Sequence, residues 1–178
     1  FAFNACMQLK EVQLPSTLEI IEDGAFCGCT ALREIVFPEG VREIGSKAFQ
    51  RCNALSSVVL PREVERVGDE AFKGCRSLER VEMPDGVRIL GNAAFRDCVN
   101  LREVVLPDTL DTLEDEVFAG CAALVAVELP ASVGWIGRRC FENCARLESV
   151  DLPDEISYIE ERTFAGCTRL ARVTMSDA

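Results

Sequence analysis

Ten cysteines are the residues of this 178-residue sequence with the widest chemistry open to them: nucleophile, metal ligand or disulfide partner. Eight of them (Cys6, Cys29, Cys52, Cys75, Cys98, Cys121, Cys144, Cys167) recur at one fixed spacing, and Cys27 and Cys140 stand outside that series. The sequence contains no His. That removes Cys–His and Ser–His–Asp nucleophilic arrangements and most zinc catalysis. Cys27 and Cys29 could share a metal with Cys140 and Cys144 only if segments five repeats apart met in space. No Gly-rich phosphate loop occurs either, because the glycines fall at repeat positions. The residues therefore predict no enzyme, no cofactor and no metal centre.

What remains is chemistry of recognition. Trp135 and Tyr158 are the only Trp and the only Tyr, and they stand 23 residues apart. Their column reads Ile20, Glu43, Arg66, Ile89, Thr112, Trp135, Tyr158, a mixture that no core position would tolerate. Neighbours in a stack, they would form an aromatic patch with Arg138 and Arg139 nearby, the composition of an interface hot spot or of a carbohydrate platform. Edge packing against a neighbouring loop is the plain structural alternative. A second column reads Gln13, Val36, Val59, Glu82, Val105, Glu128, Asp151, Thr174. Val36, Val59 and Val105 are apolar, while Glu82, Glu128 and Asp151 are acids, so the column offers a mixed surface to a protein partner. The structural alternative is a solvated sheet face carrying β-formers. Glu128 with Asp151 is too small a carboxylate set to define a divalent-cation site.

The elements that must position these residues follow from the cysteine spacing. Each repeated Cys lies inside Phe-x-x-Cys-x-x-Leu, starting at Phe3, Phe26, Phe49, Phe72, Phe95, Phe118, Phe141 and Phe164. Every step is 23 residues without insertion or deletion, the signature of a stacked solenoid. Within a repeat, Leu32 opens a strand whose end, Ile35-Val36-Phe37, alternates as half-buried strands do. Pro38 ends it, and all seven prolines hold that slot, where a missing N–H starts a turn. Val41 and Ile44 then mark a short second extended segment. The run 46–52, with Ala48, Phe49 and Cys52 pointing inward, suits a helical turn or a 3-10 piece. One coil cannot bury its inward side chains alone; stacking joins them into one core. One Cys per coil then gives a ladder of small buried thiols. Side chains in parallel register point the same way and miss the disulfide dihedral, so reduced thiols are expected. Cys27, at a mostly polar position, is the better candidate for an exposed thiol.

Composition bounds the rest. Forty-eight per cent hydrophobic and 28% charged residues make a folded chain, long enough for one domain with a substantial core. The net charge of −11 argues against nucleic acid and anionic membranes, and no apolar run reaches membrane-spanning length. The chain reads as a single domain over 1–178, about eight repeats, incomplete at both ends.

The run Leu-x-x-Val-x-Leu-Pro-x-x-Val-x-x-Ile-Gly-x-x-Ala-Phe-x-x-Cys-x-x-Leu, seen from Leu78 to Leu101 with Met83 and Leu90 as variants, resembles the BspA-type leucine-rich repeat. The resemblance covers essentially the whole chain. It implies a curved right-handed solenoid with a parallel sheet on one face, short second strands and short helical turns. It also implies adhesion and protein binding on cell surfaces or in secreted proteins, without a catalytic motif. The expectation is a non-enzymatic binding module using Trp135, Tyr158, Val36, Val59, Glu82, Val105, Glu128 and Asp151. Its partner would be a matrix or cell-surface protein. The alternative is a scaffold subunit whose coils stack against neighbouring chains in an assembly.

Overall fold

The computed structural model describes residues 1–175. The 23-residue period becomes one turn of a solenoid: every strand pairing is parallel and joins residues 23 apart, as Ile20 joins Glu43 and Ser57 joins Arg80. The strands are β1 (Ile20–Ile21), β2 (Glu43–Ile44), β3 (Ser57–Val59), β4 (Arg66–Val67), β5 (Arg80–Glu82) and β6 (Ile89–Leu90). They continue with β7 (Glu103–Val105), β8 (Thr112–Leu113), β9 (Trp135–Ile136), β10 (Ser149–Leu152) and β11 (Arg172–Met175).

Two faces carry these strands. The short segment after the proline turn builds the longer sheet, six strands in the order β1-β2-β4-β6-β8-β9. Each of its strands is only two residues, the second of them buried. The main-strand face, expected as the principal sheet, is divided. β3-β5-β7 form one piece and β10-β11 another, with a single bridge from Ala126 to Ser149. Around the division the packing is looser: Val104, Leu106 and Leu129 are only partly buried.

The third side corrects the expected helical turn: among the described residues it contains no α- or 3-10 helix. In the run 47–52 alternate amides do different things. Ala48, Gln50 and Cys52 donate three residues back, to Gly45, Lys47 and Phe49, as 3-10 turns do. Lys47, Phe49 and Arg51 donate instead to Asp69, Ala71 and Lys73 of the next coil, each at 2.8 Å. Left-handed residues, Lys47 (φ 59°) and Arg51 (φ 60°) in this coil, turn those amides outward and stop helix propagation. The turn side is thus a third ladder between coils. Close approach also explains Gly45, Gly68, Gly91 and Gly137, where a Cβ would come within 2.6–2.8 Å of the preceding coil's backbone.

The core fills the space between the three sides. Eight Phe rings, from Phe3 to Phe164, stack with centroids 5.1–5.7 Å apart and planes within 15° of parallel. Leu, Val and Ile columns flank them. In the Ala column Thr163 is buried, and its hydroxyl is satisfied by donating to the Glu160 carbonyl at 2.9 Å.

Candidate binding surfaces

From Cys29 to Cys144 the cysteine ladder is buried away from solvent. Each thiol from Cys29 to Cys167 in the series donates to the carbonyl of the Phe 26 residues earlier, at 3.1–3.3 Å. Burial pushes Cys52 and Cys98 up to about 12, and Cys75 and Cys121 well above the ordinary thiol range. Neutral thiols are neither nucleophiles nor ligands at physiological pH. No disulfide occurs: all ten are free. Of the two outside the series, Cys140 is fully buried and burial raises it to about 12. Cys27 is half-buried, its thiol 3.6 Å from Gln50 Oε1, and Cys6 is the exposed one, which its place in the ladder concealed. Among the described residues no group of three or more His, Cys, Asp or Glu side chains is placed to hold a metal.

The predicted binding residues fall on two faces. Val36, Val59, Glu82 and Val105 lie outward on the main-strand face, with Val59 opposite Glu82 and Glu82 opposite Val105 in register. Val36 is 77% exposed and Val59 61%. They line a groove of about 1020 Å³ whose rim carries Glu34, Glu39, Glu82 and Asp85 against one Arg62. The proline-turn residues Pro61, Arg62, Pro84 and Asp85 were not among those chosen from the sequence. Their signal was the invariant proline slot, which aligns the turns into one wall. Glu82 is held by Arg80 at 3.1 Å, and Arg80 also pairs with Glu103.

Glu128 and Asp151 lie on the same face beyond the division of the sheet. Asp151 accepts from the Thr174 hydroxyl and lies 3.7 Å from Arg172. Its charge is therefore partly spent within the molecule.

Trp135 and Tyr158 sit on the six-stranded side, where Trp135 opens β9. Their rings meet edge to face, 5.4 Å apart at 81°, with Trp135 half-buried and Tyr158 59% exposed. On this side each coil from Leu18 to Ile136 turns two successive residues outward between two inward ones, and in the last coil Ile159 is exposed as well. The pairs run Glu19–Ile20, Arg42–Glu43, Glu65–Arg66, Arg88–Ile89, Asp111–Thr112, Gly134–Trp135 and Ser157–Tyr158. The first members alternate in sign through five coils, and Arg88 reaches Asp111 at 3.7 Å. The last two pairs carry no charge at all.

Against known proteins, the family model for the BspA type leucine rich repeat region matches in six copies over residues 1–124 and 89–178. A leucine rich repeat protein of T. pallidum is 38% identical, with a TM-score of 0.80 over 86% of this chain and 72% of that one. A leucine-rich repeat protein of Eubacterium ventriosum is 28% identical, with a TM-score of 0.62 over 95% of this chain and 38% of that one. A leucine rich cell surface protein of Faecalibacterium prausnitzii shares the fold at 24% identity and a TM-score of 0.67; the match covers 99% of this chain and 62% of that one. No curated protein matches the chain at a significant level. No helix among the described residues is long and apolar enough to cross a membrane. With the period, the parallel solenoid and the family model in agreement over nearly every residue, this chain belongs to the BspA-type leucine-rich repeat family.

Proposed function

We propose that the chain is a non-enzymatic protein-binding module of a larger surface or secreted protein, and that it takes its partner on the main-strand face. The observation that carries this reading is Val36 and Val59, widely exposed in a groove with an acidic rim. Exposed aliphatic side chains gain about 25 cal/mol per Å² when a partner covers them. Glu34, Glu39 and Asp85 on the rim, with a net charge of −11, favour a basic partner and speed its approach. The surface placement follows the description of the Faecalibacterium relative as a cell surface protein. Solenoids of stacked repeats offer extended surfaces of this kind for protein recognition.

The test is binding of immobilised basic extracellular-matrix proteins to wild type and to a Val36→Asp/Val59→Asp variant. The substitutions are outward, so the circular dichroism spectrum should not change. Binding that weakens at least tenfold in the variant supports the reading. Equal binding by both proteins, or none by either, sinks it. Light scattering that reveals concentration-dependent end-to-end association would favour the scaffold alternative.

A further inference from the structure

The six-stranded side changes character where the aromatic residues begin. From Glu19 to Asp111 its outward residues include at least one charge in every coil, and from Gly134 onward they include none. Two ion pairs border this neutral stretch, and Glu155 stands exposed two residues before Ser157. Arg88 lies 3.7 Å from Asp111 on one side, and Arg138 lies 3.6 Å from Glu160 on the other. Between them Tyr158 stands exposed with Trp135 edge-on, forming a corner of two aromatic surfaces. The space beside that corner is open: a Cβ built on Gly134 meets nothing within 4 Å. Thr112, opposite Trp135 in register, and Ser157, next to Tyr158, bring hydroxyls to its border.

We propose that this corner is a docking site for a neutral saccharide chain, distinct from the protein-binding groove on the main-strand face. The argument is one of complementarity. A pyranose presents C–H bonds on its faces and hydroxyls around its rim. Its C–H face fits an aromatic ring, and its rim fits the hydroxyl and ion-pair groups around the corner. The corner residues Thr112, Gly134, Trp135, Ser157 and Tyr158 themselves carry no carboxylate to hold a basic ligand, and an acidic one is repelled by the chain's net charge of −11. Successive coils rise by roughly the length of one sugar unit, and with the two rings 81° apart a chain along the solenoid axis lays one unit on a ring face and the next against a ring edge.

Trp135 is the only Trp, so intrinsic fluorescence reads the site directly. The probes are dextran and cello-, manno- and galacto-oligosaccharides, with polygalacturonate and hexalysine as charged counterparts. At least one neutral saccharide should shift the Trp emission and protect it from acrylamide quenching. Affinity should fall at least tenfold in Tyr158→Ala and in Gly134→Arg, and should persist in Val36→Asp/Val59→Asp. Gly134 is not held at positive φ and has open space before it, so Gly134→Arg should keep the wild-type unfolding curve while blocking the corner. The proposal is overturned if no neutral saccharide of the panel alters the emission, if only a charged probe does, or if Gly134→Arg binds as wild type does. Because the groove variant keeps this corner, failure here and failure of the protein-binding reading are separate results.

Discussion

Cys98 illustrates how a residue with reactive chemistry becomes structural. It is fully buried, it donates to the Phe72 carbonyl at 3.2 Å, and burial holds its thiol near 12. The unfolded chain exposes the same thiol at its ordinary value near 9. Above that pH the unfolded state loses a proton that the folded state keeps, so stability falls as pH rises and is fully present below it. Stability should decline progressively as pH rises from about 9 toward about 12. Thermal unfolding should therefore be insensitive to this ladder near neutrality and steepen above pH 9, with a shallower decline in Cys98→Ala. An identical slope in that variant would contradict the assignment. Lys47 shows a different residue-scale effect. Its φ of 59° costs a non-Gly residue about 1–2 kcal/mol, only partly offset by the freedom Gly gains when unfolded. Lys47→Gly should therefore raise stability by about 0.5–1 kcal/mol, read as a higher urea midpoint at unchanged m-value.

At the scale of elements, three ladders share the work of holding coils together, and they are unequal. The Phe stack runs without interruption, so truncating a central ring leaves a cavity that neighbours at 5.3 and 5.7 Å cannot close. Phe95→Ala should cost about 3–5 kcal/mol in chemical denaturation. The main-strand ladder is broken between β7 and the coil of Ala126, while β8 and β9 stay paired on the other side. Amides of residues 126–129 should therefore exchange with deuterium faster than those of residues 80–83 in β5; equal protection would mean the division closes in solution. The turn side is where sequence reading failed. Ala48, Phe49 and Cys52 have the spacing of a helical turn, yet their neighbours Lys47 and Arg51 adopt left-handed backbone. Nothing in a Lys or an Arg announces that conformation. It is chosen because it sends three amides to the next coil, a tertiary gain that outweighs local propensity.

Across the whole molecule, the candidate binding residues divide between two sides of the solenoid. Val36, Val59, Glu82 and Val105 face out from the main strands, and Trp135 and Tyr158 from the six-stranded side. The two surfaces share no contact partner, so their variants should behave additively. Combining Val36→Asp/Val59→Asp with Tyr158→Ala should lose protein and saccharide binding each to the extent of the separate variants. A combined loss exceeding the two by more than about 0.5 kcal/mol would show that the surfaces are coupled.

The period of 23 residues, the inward columns, the strand-ending prolines and the burial of the central thiols were legible because each is a local preference repeated seven or eight times in phase. Repetition turns a weak single-coil signal into an unambiguous one, since only stacking can bury every copy. The outward columns were legible as lists but not as surfaces. Which sheet is continuous, where the main-strand ladder opens, and that Trp135 meets Tyr158 edge-on beside an open Gly134 depend on how far successive coils shift and tilt. Those displacements are set by contacts between residues 20 or more positions apart. No short window of sequence carries them, and only the tertiary structure decides them.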